Sequence, residues 1–143
     1  MCGKGMKLEL VVDRRGTPLG AVTAAADVAE VHLARPALEA VPAGVSVPWD
    51  VPVVADRAYD SDPLRAELAS DGYRLLAPHR RNRTRPPTND GRRMRRYRRR
   101  HVAERTFGWL HSFRRVMVRQ EWYSFIHTGF VDLACALIAL RRL

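Results

Sequence analysis

The chain has 143 residues and carries 25 Lys and Arg against 15 Asp and Glu, a formal net charge of +10. That length suits one domain with a modest core and excludes a fold that depends on staples. Its two cysteines, Cys2 and Cys135, are far apart and have no CxxC neighbour, which argues against a disulfide framework or a zinc site and fits a reducing cytoplasm. The start, "MCGKGMKLEL", has no apolar leader core. The longest apolar run near the end, "VDLACALIAL", contains Asp132 and is too short to span a bilayer, so the expectation is a soluble, cytoplasmic protein without a membrane partner.

Taken in chain order, "MKLELVVD" alternates and turns β-branched, "RRGT" supplies a turn with Gly16, and "PLGAVTA" resumes an extended pattern. This predicts a β-hairpin from Met6. From Asp27 to Val41, Val28, Val31, Leu38 and Val41 fall near helical spacing, with Pro36 as an interruption. Residues 42–50 form a connection, and "VPVVAD" reads as a short buried strand that ends on a carboxylate, Asp56. Ser61 as N-cap, Pro63 in the first turn and Gly72 as stop delimit a helix, and "YRLLAP" is another strand. Strand, helix and strand in this order predict a βαβ unit with parallel strands. A polar, basic, mobile loop is expected at about 78–93. A helix is expected from Met94 to about Phe113, followed by a largely apolar one from Tyr123 to Leu140.

The charge is unevenly placed. From Pro78 to Arg119 there are 15 arginines against Asp90 and Glu104, a local balance of +13 that leaves −3 for the rest of the chain. A basic block joined to a mildly acidic body is the pattern of a polyanion-binding surface; a solvated charge run in a disordered loop is the plain alternative for 80–93. At 100° per residue Tyr97, Arg100, Glu104 and His111 share one narrow helix face, opposite Val102, Thr106, Trp109, Leu110 and Phe113. Glu104 is thus displayed among arginines. An i,i+4 surface pair with Arg100 accounts for it on its own. Asp56, at the C-terminal end of a buried strand where α/β sheets place ligands, adds a second reading. One aspartate and one glutamate facing each other across a basic cleft could hold Mg²⁺. Asp60 and Asp62 read as capping groups at the following helix.

The spacing Tyr97, Arg100, Glu104, His111 resembles the Y-(2)-R-(3)-E-(6)-K signature of bacterial insertion-sequence transposases of the DDE class. "GMKLELVVDRRGTPLG", "VVADRAYDSDPLRAEL", "ERTFGWLHSFRRVMVR" and "GFVDLACALIALRRL" are similar to the same family, so the resemblance spans nearly the whole of residues 1–143. It implies an α/β, ribonuclease H-like fold, a mixed sheet flanked by helices. It implies Asp56 and Glu104 as the second and third catalytic acids, both ligands of Mg²⁺ with Mn²⁺ as substitute. Tyr97, Arg100 and His111 are then expected at DNA phosphates, together with Arg80, Arg81 and Arg83 of the loop. Arg92, Arg93, Arg95 and Arg96 extend that surface. The implied partner is double-stranded DNA, at transposon ends and target, with a homo-oligomer as the working form.

Two departures stand out. His111 replaces the lysine that closes the signature, which weakens phosphate attraction while the imidazole is neutral. The strand that carries the family's first catalytic aspartate precedes the stretch with which this chain begins, so the fold is expected to be truncated at its first strand, with the hairpin as an exposed edge. Asp13 also ends an apolar strand and is a candidate substitute ligand, although its context is that of a turn former. The alternative to an active transposase is an inactive truncated relic that binds DNA through its arginine-rich loop and helix.

Overall fold

The computed structural model describes residues 5–142. Cys2 lies outside them, and Cys135 is a free, half-buried thiol. Strands β1 (Met6–Val12) and β2 (Pro18–Ala25) form the expected antiparallel hairpin, Leu8 opposite Thr23 and Leu10 opposite Ala21. Its turn is closed by Asp13. The Asp13 amide donates to the Thr17 carbonyl at 3.0 Å, while its Oδ1 accepts the amides of Arg15 and Thr17, each at 2.8 Å. Gly16 completes the turn with φ of 86°, a left-handed conformation that side chains with a Cβ avoid.

The helix expected over 27–41 is two pieces, a 3₁₀ turn at Glu30–His32 and α1 (Ala34–Glu39). Pro36 does not split it. It falls in the first turn of α1, where its missing N–H has no intrahelical partner to lose. The βαβ unit forms as the sequence predicts: β3 (Val51–Val54), α2 (Asp62–Ser70) and β4 (Tyr73–Leu76), with β3 and β4 parallel. Ser61 caps α2 by accepting the Leu64 amide, and Gly72 turns the chain out of it at φ of 82°.

The long helix expected from Met94 is instead α3 (Gly91–Met94), a 3₁₀ segment at Arg95–Arg100, and α4 (His101–His111). Two further helices, α5 (Arg114–Met117) and α6 (Ser124–Leu140), close the chain. Among the described residues no helix is long and apolar enough to cross a membrane.

Alternation along β1 divides the core in two. Leu8, Leu10 and Val12 pack with Leu110 of α4 and with Val131, Ala134 and Ile138 of α6. Val11 points the other way, toward Leu38, Tyr59, Leu64, Leu68 and Leu75 around the βαβ unit. The strands do not form one sheet. Among the described residues β1 pairs only with β2 and β3 only with β4, a mixed α/β arrangement of two small sheets flanked by helices.

Candidate active site

Asp56 lies two residues past the end of β3 and caps a 3₁₀ turn, Arg57–Tyr59, in which its Oδ1 accepts the Ala58 amide at 2.6 Å. That bond aims the carboxylate at the end of the strand, and the residue is exposed. Glu104 lies in the first turn of α4, where a negative charge is favoured by the helix dipole. Its Oε1 accepts from Arg100 Nη2, and Arg100 Nη1 donates to the Tyr97 hydroxyl at 3.1 Å, so the three residues form one connected row. Tyr97 and Arg100 stand on the 3₁₀ segment, whose three-residue period brings them to the same side.

The placement of α4 comes from the hairpin turn. Thr106 is fully buried, and its hydroxyl donates to the Gly16 carbonyl at 2.8 Å and lies 3.1 Å from the Val102 carbonyl. Arg105 adds a bond to the Arg15 carbonyl. Val102, Thr106 and Leu110 are buried and Glu104 is exposed, the sidedness that the helical spacing predicts. Trp109 is half-buried against the core and lies between Arg105 and Arg142, whose guanidinium carbon is 4.4 Å from the ring centroid.

Asp56 and Glu104 open onto one cleft of about 1100 Å³. Consecutive residues of β1 and of β3 line it, so it runs along the unpaired edges of the two strands rather than over their faces. Arg96, Arg99 and Arg100 line the same cleft. This is the meeting of acid and base that the signature face implies.

Three more carboxylates, Glu9, Asp13 and Glu30, line the cleft, and of these Glu9 and Glu30 escaped the sequence reading. Glu9 of β1 accepts a hydrogen bond from the buried Tyr59 hydroxyl. Burial raises its pKa above the ordinary 4.5 and outweighs the Tyr59 hydrogen bond, which lowers it; Glu30 and Asp56 add to the rise. Burial and the Glu9 bond likewise push the Tyr59 phenol upward. The only signal was the position of Glu9 on the non-leucine face of "KLEL", which does not distinguish a solvated strand face from a buried one. Because the folded pKa is raised, the folded state binds more protons than the unfolded state above pH 4.5, and stability falls as pH rises from there through the raised value. Glu9→Gln keeps an acceptor for Tyr59 and removes the charge. Denaturant midpoints measured from pH 4 to 8 are expected to lose this downward slope in the variant.

Among the described residues no three His, Cys, Asp or Glu side chains converge as a metal-binding group. Asp56 and Glu104 have the oxygen chemistry that a hard divalent cation takes, but the pair stands without a third ligand. Asp13 lines the same cleft and is held in its turn by the amides already described. Burial works to raise its pKa, and the bonds from Thr17 and Arg15 outweigh it and bring it down. His111 is exposed at the last turn of α4.

The basic segment is irregular up to Asp90, as expected, yet it is tied down rather than free. Arg83 bonds both oxygens of Asp62, at 2.9 and 2.8 Å, and reaches Asp60 at 3.3 Å. Arg80 donates to the Ala58 carbonyl at 2.8 Å. Asp60, read from sequence as a capping group, is the hub. Burial works to raise its pKa, but the Arg80 amide, His79 and Arg65 outweigh it and draw it down to about 2. Among the described residues the side chains of Arg81, Arg92, Arg95 and Arg96 carry no ion pair, and all four are exposed. Arg93 is exposed as well and lines a separate pocket of about 180 Å³ beside Trp49.

The family model of the transposase DDE domain matches residues 3–138. The chain belongs to the DDE transposase family. It is 36% identical over 144 residues to a Burkholderia cepacia protein named as transposase for insertion sequence element IS402, an alignment covering 97% of this chain and 64% of that one. It is 44% identical over 91 residues to the protein named as transposase for insertion sequence element IS6501 in Brucella ovis, covering 62% of this chain and 67% of that one. The DDE chain therefore spans about two thirds of the length of these relatives. No solved structure matches it.

Proposed function

We propose that this chain is a DDE catalytic domain of an insertion-sequence transposase, acting on double-stranded DNA by metal-dependent phosphodiester hydrolysis at transposon ends and strand transfer into target DNA. The observation that carries this reading is the shared cleft: Asp56 and Glu104 come from separate elements and open onto one space walled by Arg96, Arg99 and Arg100. Asp56 and Glu104 would hold Mg²⁺, or Mn²⁺ in its place. The bound cation would supply Lewis acidity toward water and phosphate. Arg96, Arg99 and Arg100 hold phosphate oxygens, with Tyr97 bracing Arg100. His111 and the exposed Arg81, Arg92, Arg93 and Arg95 extend the DNA surface beyond the cleft.

The unpaired edges of β1 and β3 along the cleft support the ribonuclease H-like assignment. One strand inserted between them would join the two pairs into a single mixed sheet. A carboxylate at the end of that strand would complete the metal site. A second reading, in which these 143 residues bind DNA through the arginine-rich segment and do not cut it, is separated from the first by cation binding.

Calorimetric titration of the chain with Mg²⁺ and Mn²⁺ tests the site. Weak binding is expected, abolished by Asp56→Ala and by Glu104→Ala and unchanged by Asp13→Ala. Binding that survives in both of the first two variants would show that the cation sits elsewhere. If the wild-type chain takes up no cation at all, the second reading stands.

A further inference from the structure

We propose that Asp60 is a positioning residue for the arginine loop: a buried carboxylate that folds residues 79–90 against the turn carrying Asp56, withdraws Arg83 from the surface, and leaves Arg81, which carries no ion pair among the described residues, turned out as a phosphate contact beside the 71% exposed Arg85. The inference rests on the reading of this chain as a DNA-acting domain.

The side chain of Asp60 is 2% exposed, yet it lies in a stretch that sequence reading assigns to a helix start. Its oxygens are fully used. Oδ1 accepts from Arg65 Nη1 at 2.7 Å, from His79 Nδ1 at 2.9 Å and from Arg83 Nη1 at 3.3 Å, and Oδ2 accepts the Arg80 amide at 2.8 Å. Three of these four donors come from the loop. A buried charge is tolerated when such donors compensate it, and removing it leaves several of them unpaired.

The bonds then pass along the loop. His79 donates through Nδ1 to Asp60, and its Nε2 accepts the Thr88 amide at 3.0 Å, so one neutral tautomer staples the two ends of the segment. Arg65 and Asn89 both donate to the Ala77 carbonyl, at 2.9 and 2.8 Å. Arg83, only 11% exposed at its side chain, spans from Asp60 and Asp62 to the Pro86 carbonyl at 3.0 Å. It is a strut, and its charge is already neutralised. Arg80 grips the Ala58 carbonyl, in the same short turn whose amide holds Asp56. The loop is therefore fastened to the element that aims the candidate catalytic aspartate.

The sign of one effect separates this role from a plain electrostatic one. If Asp60 were only an acid near a basic surface, deleting it would tighten DNA binding. As a positioning residue, its loss releases the loop and weakens binding although the protein becomes more positive. The experiment measures binding of a short duplex by fluorescence anisotropy between 50 and 300 mM salt, for the wild-type chain, Asp60→Ala, His79→Ala and Arg81→Ala. Thermal unfolding confirms that each variant is folded, and tryptic cleavage rates in the loop are followed in parallel.

Arg81→Ala is expected to lower the slope of log K against log salt by about 0.9, one phosphate contact. Asp60→Ala is expected to lower it by more, to weaken binding about tenfold at 0.1 M salt, and to speed loop cleavage; His79→Ala should follow it in milder form. If Asp60→Ala binds as tightly as wild type or tighter, with an unchanged slope, the proposal is overturned. A wild-type chain that does not bind the duplex would remove the DNA interface instead. The positioning role then stands or falls on trypsin, with equal cleavage rates in wild type and Asp60→Ala refuting it. His79→Ala carries the same comparison should Asp60→Ala fail to fold.

Discussion

Leu110→Ala is expected to destabilise the domain by about 3 kcal/mol, within the range for a large-to-small change at a sealed core position. Leu110 is fully buried at the junction of three elements, touching the cluster of Leu10 from β1, Val116 from α5 and Val131, Ala134 and Ile138 from α6. None of these neighbours can follow the deleted methyls, because each is anchored in its own helix or strand, so the cavity persists. For a chain of this length the change corresponds to a fall of roughly 10 °C in Tm. Against a total stability of about 5–15 kcal/mol that is a large fraction. The control is Leu133→Ala on α6, a leucine that is 57% exposed, where a shift within about 0.5 kcal/mol is expected. Equal losses at the two positions would mean that the outer face of α6 is covered in solution.

Gly16→Val is expected to cost about 2–4 kcal/mol and to disturb the candidate site from a distance. A β-branched residue at φ of 86° carries a backbone penalty of about 1–2 kcal/mol. A Cβ there would also stand 2.8 Å from the Thr106 hydroxyl, so that something must shift, and 3.3 Å from Val102, which must give by a few tenths of an ångström. Thr106 is the buried peg that seats α4 on the hairpin turn, so relief of the clash must lift the helix. Glu104 rides on that helix, two residues from Thr106. The same variant should therefore weaken the cation binding assigned to Asp56 and Glu104, measured by calorimetry at a temperature where the protein is still folded. Gly16→Ala, which adds the Cβ alone, should show both effects in smaller degree. Loss of stability with undiminished cation affinity would separate the hairpin contact from the site.

Local rules were enough for much of this protein. The hairpin followed from alternation and a glycine turn, the βαβ unit from a capped helix between two short apolar runs, and the buried face of α4 from its 3.6-residue period. These features depend on neighbours within a few residues, which is the distance over which sequence pattern carries information. The family, too, was legible, because the row Tyr97, Arg100, Glu104 lies on one continuous stretch, and the match over residues 3–138 bears it out.

What the tertiary structure decided are the relations between distant segments. Whether β1 and β3 share a sheet depends on a pairing across some 40 residues, and they remain apart with a cleft between their edges. Glu9 became a perturbed acid because the fold buries it, while the bond from Tyr59, 50 residues away, works in the opposite direction. Asp60 looked like a helix-start residue until His79 and Arg83, from a segment with no periodicity to read, converged on it. The run after Met94 had helical spacing, yet the chain takes a 3₁₀ turn at Arg95–Arg100. For Glu9 and Asp60 the deciding term is electrostatic and solvation free energy, set by which groups the fold brings together rather than by which residues adjoin in the chain.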